Sequence, residues 1–126
     1  MATSRNTILC VDDEHNGLVI RRLLLEKVGY NVLTAETARD AIDVFTNNHV
    51  DAVVLDYLLP DVDGGRLATA MRLIKPEIPI ILLSAHLYVP DEVLAVTDAY
   101  VAKGQSPTAL LDQIKHVLRN KAQQTA

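Results

Sequence analysis

Five short apolar runs alternate with longer amphipathic stretches along this chain. The first, third and fourth runs are nearly continuous in Val, Ile and Leu. That composition is typical of strands whose two faces are both covered in a parallel sheet. The predicted strands are Ile8–Val11, Asn31–Ala35, Ala52–Leu55, Ile78–Leu83 and Ala99–Ala102.

The stretches between these runs have helical periodicity. In the first helix, the apolar residues predicted to share the buried face are Ile20, Leu23, Leu24 and Val28. Gly29 is the expected stop of this helix. The fourth helix, near Asp91–Val96, is predicted to be short, whereas Ser106 and Pro107 form a strong start for the fifth.

Other helices are indicated by caps and stops. Thr37 is a candidate cap for the second helix, which carries a regular apolar face. Gly64 or Gly65 opens the third, and Pro76 closes it. The apolar positions of these two helices are Ala38, Ala41, Ile42 and Phe45 in the second, and Leu67, Met71 and Ile74 in the third.

Five successive βα units predict an α/β fold with right-handed crossovers and a parallel sheet. Five units are too few for an eight-stranded barrel. We therefore expect one doubly wound (βα)5 domain of flavodoxin-like type, with strand order 2-1-3-4-5. The predicted boundaries are a leader at 1–6, the domain at 7–120 and a polar tail at 121–126.

Composition narrows the possible partners and compartments. The 126 residues carry a formal net charge of −4, from 16 acidic and 12 basic residues. Because nucleic-acid binding needs a basic patch, direct binding to nucleic acid is not expected. No run is long enough to span a membrane, and no signal peptide is recognisable. Cys10 is the single cysteine, which excludes an intrachain disulfide and makes the cytoplasm the expected compartment.

Polar side chains follow four of the five predicted strands, at the point where each strand ends. Asp12 and Asp13 follow the first, Asp56 the third, Ser84 the fourth and Lys103 the fifth. The carboxyl ends of parallel strands meet at one edge of a doubly wound sheet, where ligands bind. We therefore expect three carboxylates, a hydroxyl and an ammonium group to converge there.

Three ionised carboxylates repel one another, and one lysine offsets only part of that repulsion. A few carboxylates beside an incoming phosphate suit Mg²⁺, with Mn²⁺ as a substitute. Asp56, on the central strand, is the candidate nucleophile for phosphoryl transfer, with Lys103 and Ser84 holding phosphoryl oxygens. Taken singly, the Asp pair is readily interpreted as a helix cap and Asp56 as turn chemistry; the joint pattern favours a site.

The chain resembles the receiver domain of two-component response regulators over nearly its whole length. Four segments carry the resemblance: Val11–Glu14, Asp56–Gly64, Leu83–Ala85 and Ala99–Lys103. It implies a phosphoacceptor that undergoes self-phosphorylation and self-dephosphorylation rather than a stand-alone enzyme. The implied partners are a histidine kinase or phosphotransfer protein and a downstream protein, with homodimer formation possible and no membrane partner.

The resemblance also implies a role for each site residue. Asp12 and Asp13 are similar to the acidic pair that holds Mg²⁺, and Asp56 to the phosphoacceptor, which is also a ligand. Leu58 would complete the metal shell through its backbone carbonyl. Ser84 and Lys103 are similar to the residues that contact the phosphoryl group. Tyr100 is similar to the aromatic switch residue, and a half-buried strand aromatic is the alternative interpretation.

Two features depart from the family. Gly104 follows Lys103 where the family usually has proline in a cis peptide, so we expect a trans bond at 103–104. The segment from Ser84 to Lys103 is shorter than usual, which predicts a short or irregular fourth helix and leaves standard dimerisation through it open. Leu58 and His86, two residues beyond Asp56 and Ser84, predict slow to moderate self-dephosphorylation.

Three functions remain in competition. The leading hypothesis is a phosphorylation switch that remodels the face formed by the fourth helix, fifth strand and fifth helix. The second is a receiver-like docking module with impaired switching, supported by Gly104 and the short fourth helix. The third is a phosphatase with an aspartyl nucleophile. Such enzymes place a second Asp two residues after the first, where Leu58 stands here.

Overall fold

The computed structural model describes residues 5–85 and 88–125. Its strands form a five-stranded parallel sheet in the order β2-β1-β3-β4-β5, which confirms the predicted topology. The strands are β1 Thr7–Val11, β2 Asn31–Ala35, β3 Ala52–Asp56, β4 Ile80–Ser84 and β5 Ala99–Ala102. The helices are α1 His15–Lys27, α2 Ala38–Asn47, α3 Gly64–Ile74, α4 Asp91–Leu94 and α5 Pro107–Thr125.

The strand ends differ from the prediction in a way that matters for the site. β3 extends to Asp56 and β4 to Ser84, so both polar residues belong to the sheet rather than to the loops after it. Asp56 pairs in register with Leu83, and Ser84 pairs with Ala102. The ladder therefore fixes the backbone of both residues.

Helices cover the sheet on both faces and bury two apolar clusters. Phe45 and Met71 lie fully buried in the cluster under α2, α3 and α4. Leu25 and Ile114 lie fully buried in the cluster under α1 and α5. Alternate residues of β3 enter opposite clusters, with Val53 in the first and Val54 in the second. This two-sided burial explains the nearly continuous apolar sequence of the central strands.

The predicted buried face of α1 was wrong. Ile20 and Leu23 are exposed by 67% and 61%, whereas Leu18 and Leu25 are buried. Arg21 lies between these two leucines at helical spacing, and only 13% of its side chain is exposed. The face of α1 that packs on the sheet therefore contains an arginine. Apolar periodicity alone did not predict which face this would be.

The helix starts follow the predicted cap chemistry. Thr37 caps α2, since its Oγ1 accepts a bond of 3.1 Å from Asp40 N. Gly64 is the first residue of α3, and Asp63 caps it by accepting from Arg66 N at 2.9 Å. Ile74, predicted to be buried, is 41% exposed, because α3 packs instead through Leu67, Ala68 and Met71.

The fourth helix consists of four residues, as its weak pattern predicted. Its Val93 is buried and packs against α3 at Gly65, where an added Cβ would lie 2.7 Å from Val93 Cγ2. Asp98, just before β5, accepts from Ile80 N at 2.7 Å and pairs with Arg72. These contacts attach the segment between β4 and β5 to α3 and to the start of β4.

The fifth helix starts at Pro107 as predicted and continues to Thr125, into the segment that was predicted as a polar tail. Leu110, Ile114 and Val117 form its buried stripe.

Cys10 is buried in β1, where burial raises the pKa of its thiol to about 12. Within the described residues, no helix combines the length and apolar character needed to cross a bilayer.

Candidate functional site

Three carboxylates meet at the carboxyl edge of the sheet, as the strand ends predicted. Asp12, Asp13 and Asp56 each offer an oxygen, and these oxygens lie within 4.8 Å of one another. Asp12 and Asp56 are buried, with 1% and 5% of their surfaces exposed, while Asp13 is open to solvent. The crossover between β1 and β3 thus brings together groups separated by more than forty positions in the chain.

Lys103 reaches this cluster from the loop after β5. Its Nζ lies 3.1 Å from Asp12 Oδ2 and 3.4 Å from Asp56 Oδ2, so one ammonium group bridges two carboxylates. The backbone N of Lys103 donates to the carbonyl of Ser84 at 2.9 Å, which ties the start of this loop to the end of β4. No cis peptide occurs in the described chain, and the Lys103–Gly104 bond is trans as predicted.

Asp12 is held by two further donors. The backbone N of Glu14 donates to Asp12 Oδ1 at 2.9 Å, and Arg21 Nη2 donates to Oδ2 at 3.3 Å. Sequence reasoning missed Arg21. The available signal was the position of Arg21 itself, which lies at helical spacing between Leu18 and Leu25. The next residue, Arg22, belongs to the exposed face of the helix.

The pKa values of the two buried carboxyl groups are shifted in opposite directions. Burial and the neighbouring Asp12 charge raise the pKa of Asp56 to about 6, against the opposing effect of Lys103. Burial also acts to raise the pKa of Asp12, but the Glu14 N–H, Lys103 and Arg21 together hold it below its usual value. Although burial disfavours its charge, Lys103 has a raised pKa because both aspartates stabilise the ammonium form. Asp56 is therefore the carboxyl of this pair that takes a proton first.

An open pocket of about 290 Å³ is lined by Asp13, Asp56 and Lys103, so it reaches the otherwise buried Asp56 from solvent. Leu58 also borders it; its side chain is 51% exposed, and its backbone forms an antiparallel bridge with Asp63. A phosphoryl group entering from solvent can therefore approach Asp56 with Lys103 at its side.

The loop after Asp56 is anchored at two points. Gly64 N donates to Tyr57 O at 2.6 Å, and a Cβ on Gly64 would lie 2.8 Å from Asp56 O, so glycine is needed for this close approach. Asp61 accepts from the backbone N of Ala38 and of Arg39, at 2.9 and 3.1 Å. The Ala38 bond is the main reason that the pKa of Asp61 is lowered. This second cap of α2 was not predicted, because the two segments are far apart in sequence.

The remaining predicted residues lie on the β4–β5 side. Ser84 is buried at the end of β4, next to Asp56 on the neighbouring strand. Tyr100 lies in β5 and is 38% exposed, so its ring faces outward in part. His86, to which part of the dephosphorylation hypothesis was assigned, lies outside the described residues.

Comparison with known proteins agrees with this geometry. The family model described as response regulator receiver domain matches residues 8–115. The probable transcriptional regulator ycf27 of Cyanophora paradoxa is 37% identical over 94% of this chain and 51% of its own length. The transcriptional regulatory protein GlrR of Escherichia coli is 31% identical over 94% of this chain and 27% of its own length. The chain spans about half the length of the curated ycf27 relatives, or less.

Solved structures give the same result. A CheY-like response regulator receiver domain protein from Methanospirillum hungatei has a TM-score of 0.89 at 28% identity, over 96% of this chain and 99% of its own. Response regulator TrrA from Thermotoga maritima, in complex with Mg(2+)-BeF, has a TM-score of 0.85 at 33% identity, over 89% and 98%. The chain therefore belongs to the response regulator receiver domain family, and its role lies in two-component signalling.

Proposed function

We propose that this chain is a phosphoacceptor switch in which Asp56 receives a phosphoryl group in a Mg²⁺-dependent reaction. The observation that carries this proposal is the position of Asp56 itself. It ends the central strand, lies within 3.4 Å of Lys103 Nζ and shares an open pocket with Asp13. A carboxylate so placed can attack a phosphoryl group that enters from solvent.

In the proposed reaction, a carboxylate oxygen of Asp56 forms a bond to phosphorus. The bond from phosphorus to the donor breaks, and the leaving group takes its electron pair; the donor is a phosphohistidine or a small acyl phosphate. A pKa of about 6 leaves Asp56 mainly ionised at neutral pH, as a nucleophile must be. Its elevated pKa also means that the protonated, unreactive form gains population below pH 6.

Lys103 and Ser84 would stabilise the charge that the transferred group carries. The Lys103 ammonium already lies between Asp12 and Asp56, so it can turn toward a phosphoryl oxygen without a long movement. Ser84, at the end of β4 beside Asp56, is proposed to donate its hydroxyl to another oxygen. Donors positioned in this way are usually the largest contributors to such a reaction.

The residues present fit a divalent cation. Asp12, Asp13 and Asp56 provide oxygen ligands only. Two of these carboxylates, Asp12 and Asp56, are buried close together, so their negative charges repel each other. We propose all three as ligands, with the Leu58 carbonyl completing the shell and Mn²⁺ as a substitute. When bound, the cation would neutralise the carboxylates and the charge on the phosphoryl oxygens.

The proposed partners are a histidine kinase or phosphotransfer protein upstream and a downstream protein target. Phosphorylation would draw Ser84 toward the phosphoryl group and Tyr100 inward, shifting an existing equilibrium at the α4-β5-α5 face. We propose that the chain works in the cytoplasm without binding nucleic acid or membrane itself. A homodimer is compatible with this mechanism, and slow to moderate self-dephosphorylation is expected.

A docking module with impaired switching is the second candidate. The observation in its favour is the length of α4, which has four residues and so provides only a short helix in the proposed output face. An aspartyl phosphatase ranks last, because the position of its acid/base residue is taken by the apolar Leu58.

One experiment separates the three. The protein is incubated with acetyl phosphate and Mg²⁺, and its intact mass is followed with time. A phosphate-sized gain that Asp56→Asn abolishes and that lasts for minutes supports the switch. Absence of any gain supports the docking module, whereas catalytic turnover of a phosphoester supports the phosphatase. A gain that persists in Asp56→Asn contradicts the assignment of Asp56.

A further inference from the structure

Arg21 is a charged residue on the buried stripe of α1, and its guanidinium contacts the acidic cluster at Asp12. Arg21 Nη2 shares Asp12 Oδ2 with Lys103 Nζ, at 3.3 and 3.1 Å. Only 13% of the Arg21 side chain is exposed, so solvent screens this contact weakly. Asp12 Oδ2 is therefore already engaged by two positive groups, and a cation bound at Asp12 would add a third positive charge beside them.

We propose that Arg21 is a positioning residue that engages Asp12 and competes with a divalent cation for that carboxylate. This inference rests on the proposed function, since it concerns the same metal site. It adds a residue of this chain that sets how tightly the site holds the cation.

The charges explain the direction of the effect. Asp12, Asp13 and Asp56 supply three negative charges, against which Lys103 and Arg21 supply two positive ones, leaving a net charge of −1. Replacement of Arg21 by a neutral residue leaves −2, which matches a divalent cation. It also removes a positive charge that lies 3.3 Å from Asp12 Oδ2 and would repel a cation held by that carboxylate.

The structure also provides a place for Arg21 when it leaves Asp12. A groove of about 280 Å³ runs from Asp12 and Lys103 along α1 to the start of α5, and it is also lined by Arg21, Leu24 and Leu110. Within the described residues, Arg21 Nη1 is buried and has no hydrogen-bond partner. The guanidinium can therefore move toward the groove without breaking any bond other than the one to Asp12.

Arg21→Met tests the proposal, with Arg22→Met as the matched control. Met keeps the length of the aliphatic part of the side chain, and its neighbours on the buried stripe are apolar. Arg22 is the adjacent residue, lies on the exposed face and pairs with Glu26 at 3.2 Å, so its replacement changes the net charge equally. The dissociation constant for Mg²⁺ is measured by calorimetric titration of the full chain with MgCl2.

We expect Arg21→Met to bind Mg²⁺ about ten-fold more tightly than wild type, from the loss of one nearby like charge at partial screening. Arg22→Met should stay within about two-fold of wild type, since exposed charges are strongly screened. Equal constants for the two variants, or weaker binding by Arg21→Met, would overturn the proposal while leaving the metal site intact. Failure of wild type and both variants to bind Mg²⁺ would instead overturn the proposed function, and this inference with it.

A second measurement uses wild-type protein alone and does not depend on folding of the variant. The side-chain Nε–H signals of the arginines are followed by NMR as Mg²⁺ is added. The Arg21 signal should shift with the same midpoint as the metal titration, and the Arg22 signal should not. A signal from Arg21 that stays unchanged at saturating Mg²⁺ would show that the guanidinium keeps its position, contrary to the proposal.

Discussion

On the β1 side of the central strand, the acidic site is held by several mutually dependent contacts, whereas on the β4 side one turn of helix supports the chain. The single carboxylate of Asp12 accepts hydrogen bonds from Glu14, Arg21 and Lys103. Beyond Ser84, the four residues of α4 rest on α3 through Val93. The contacts on the proposed acceptor side keep its geometry, while the proposed output side has less structure to reorganise.

This difference indicates that the two parts of the proposed switch are separable in one small domain. The acceptor needs fixed distances among charged groups, which a parallel ladder provides at strand ends. A switching face needs two arrangements of similar free energy, and few buried contacts are favourable for that. The following variants probe each side in turn.

The largest effect is expected at Lys103. Replacement by Met removes the ammonium that lies between Asp12 and Asp56, so the rate of Asp56 phosphorylation by acetyl phosphate should fall about 100-fold or more. The time course of the mass gain measures this rate. Lys115→Met, on the exposed face of α5, is the control and should react at the wild-type rate. A decrease of less than about ten-fold for Lys103→Met would contradict its proposed role.

Gly64→Ala should give the largest loss of stability. The added Cβ would lie 2.8 Å from both Asp56 O and Tyr57 Cα. These are backbone atoms at and just after the end of β3, and moving them would disturb the sheet. We expect the free energy of unfolding to fall by about 2–3 kcal/mol. Urea denaturation measures this change, and a variant as stable as wild type would mean that the acceptor loop is less rigid than its contacts indicate.

Asp56→Asn should stabilise the metal-free protein. The pKa of Asp56 is about 6 in the folded chain against an ordinary 3.8, so ionisation of Asp56 opposes folding. This penalty is absent below pH 3.8, grows as the pH rises, and is complete above pH 6. At pH 7 in EDTA the variant should be more stable by about 2 kcal/mol.

Thermal or urea unfolding of both proteins between pH 4 and pH 7.5 checks the sign. The difference in stability should shrink as the pH falls from 6 toward 4, where wild-type Asp56 becomes protonated. A stability difference that is constant across this range would show that Asp56 titrates with an ordinary pKa.

Gly65→Ala should affect the other side, and less strongly. Its Cβ would lie 2.7 Å from Val93 Cγ2, a side-chain atom on a helix of one turn that can shift outward. The expected loss of stability is about 1 kcal/mol, since better helix propensity offsets part of the clash. Amide exchange at Val93 and Leu94 should accelerate while the rate of Asp56 phosphorylation stays near wild type. Unchanged exchange at α4 would mean that Gly65 does not set its packing.

The smallest effect is expected at Gly104, where the chain departs from the family. An added Cβ meets no atom within 4 Å, and the backbone is outside the left-handed region. Gly104→Ala should therefore stabilise by about 0.5 kcal/mol, through the lower entropy of the unfolded chain. The phosphorylation rate should stay within about two-fold of wild type. A large loss of the phosphorylation rate would show that the position of the Lys103 side chain depends on glycine at position 104.

Much of the site could be predicted from the sequence because its residues follow strand ends. Asp12, Asp56 and Lys103 were placed together by one rule, that parallel strands end at a common edge. The face of α1 could not be predicted in this way. Apolar residues occur at 18–20, 23–25 and 28, so several faces of the helix satisfy the periodicity equally well.

The sequence by itself determined the order of the elements, the sheet topology and the polar residue at each strand end, because these depend on local patterns that repeat at fixed spacing. Only the tertiary structure decided that Arg21 turns inward to Asp12 and that Asp61 caps α2. Both contacts depend on the angle at which a helix or loop packs on distant segments. Such an angle follows from the packing of the whole core, which no local pattern contains.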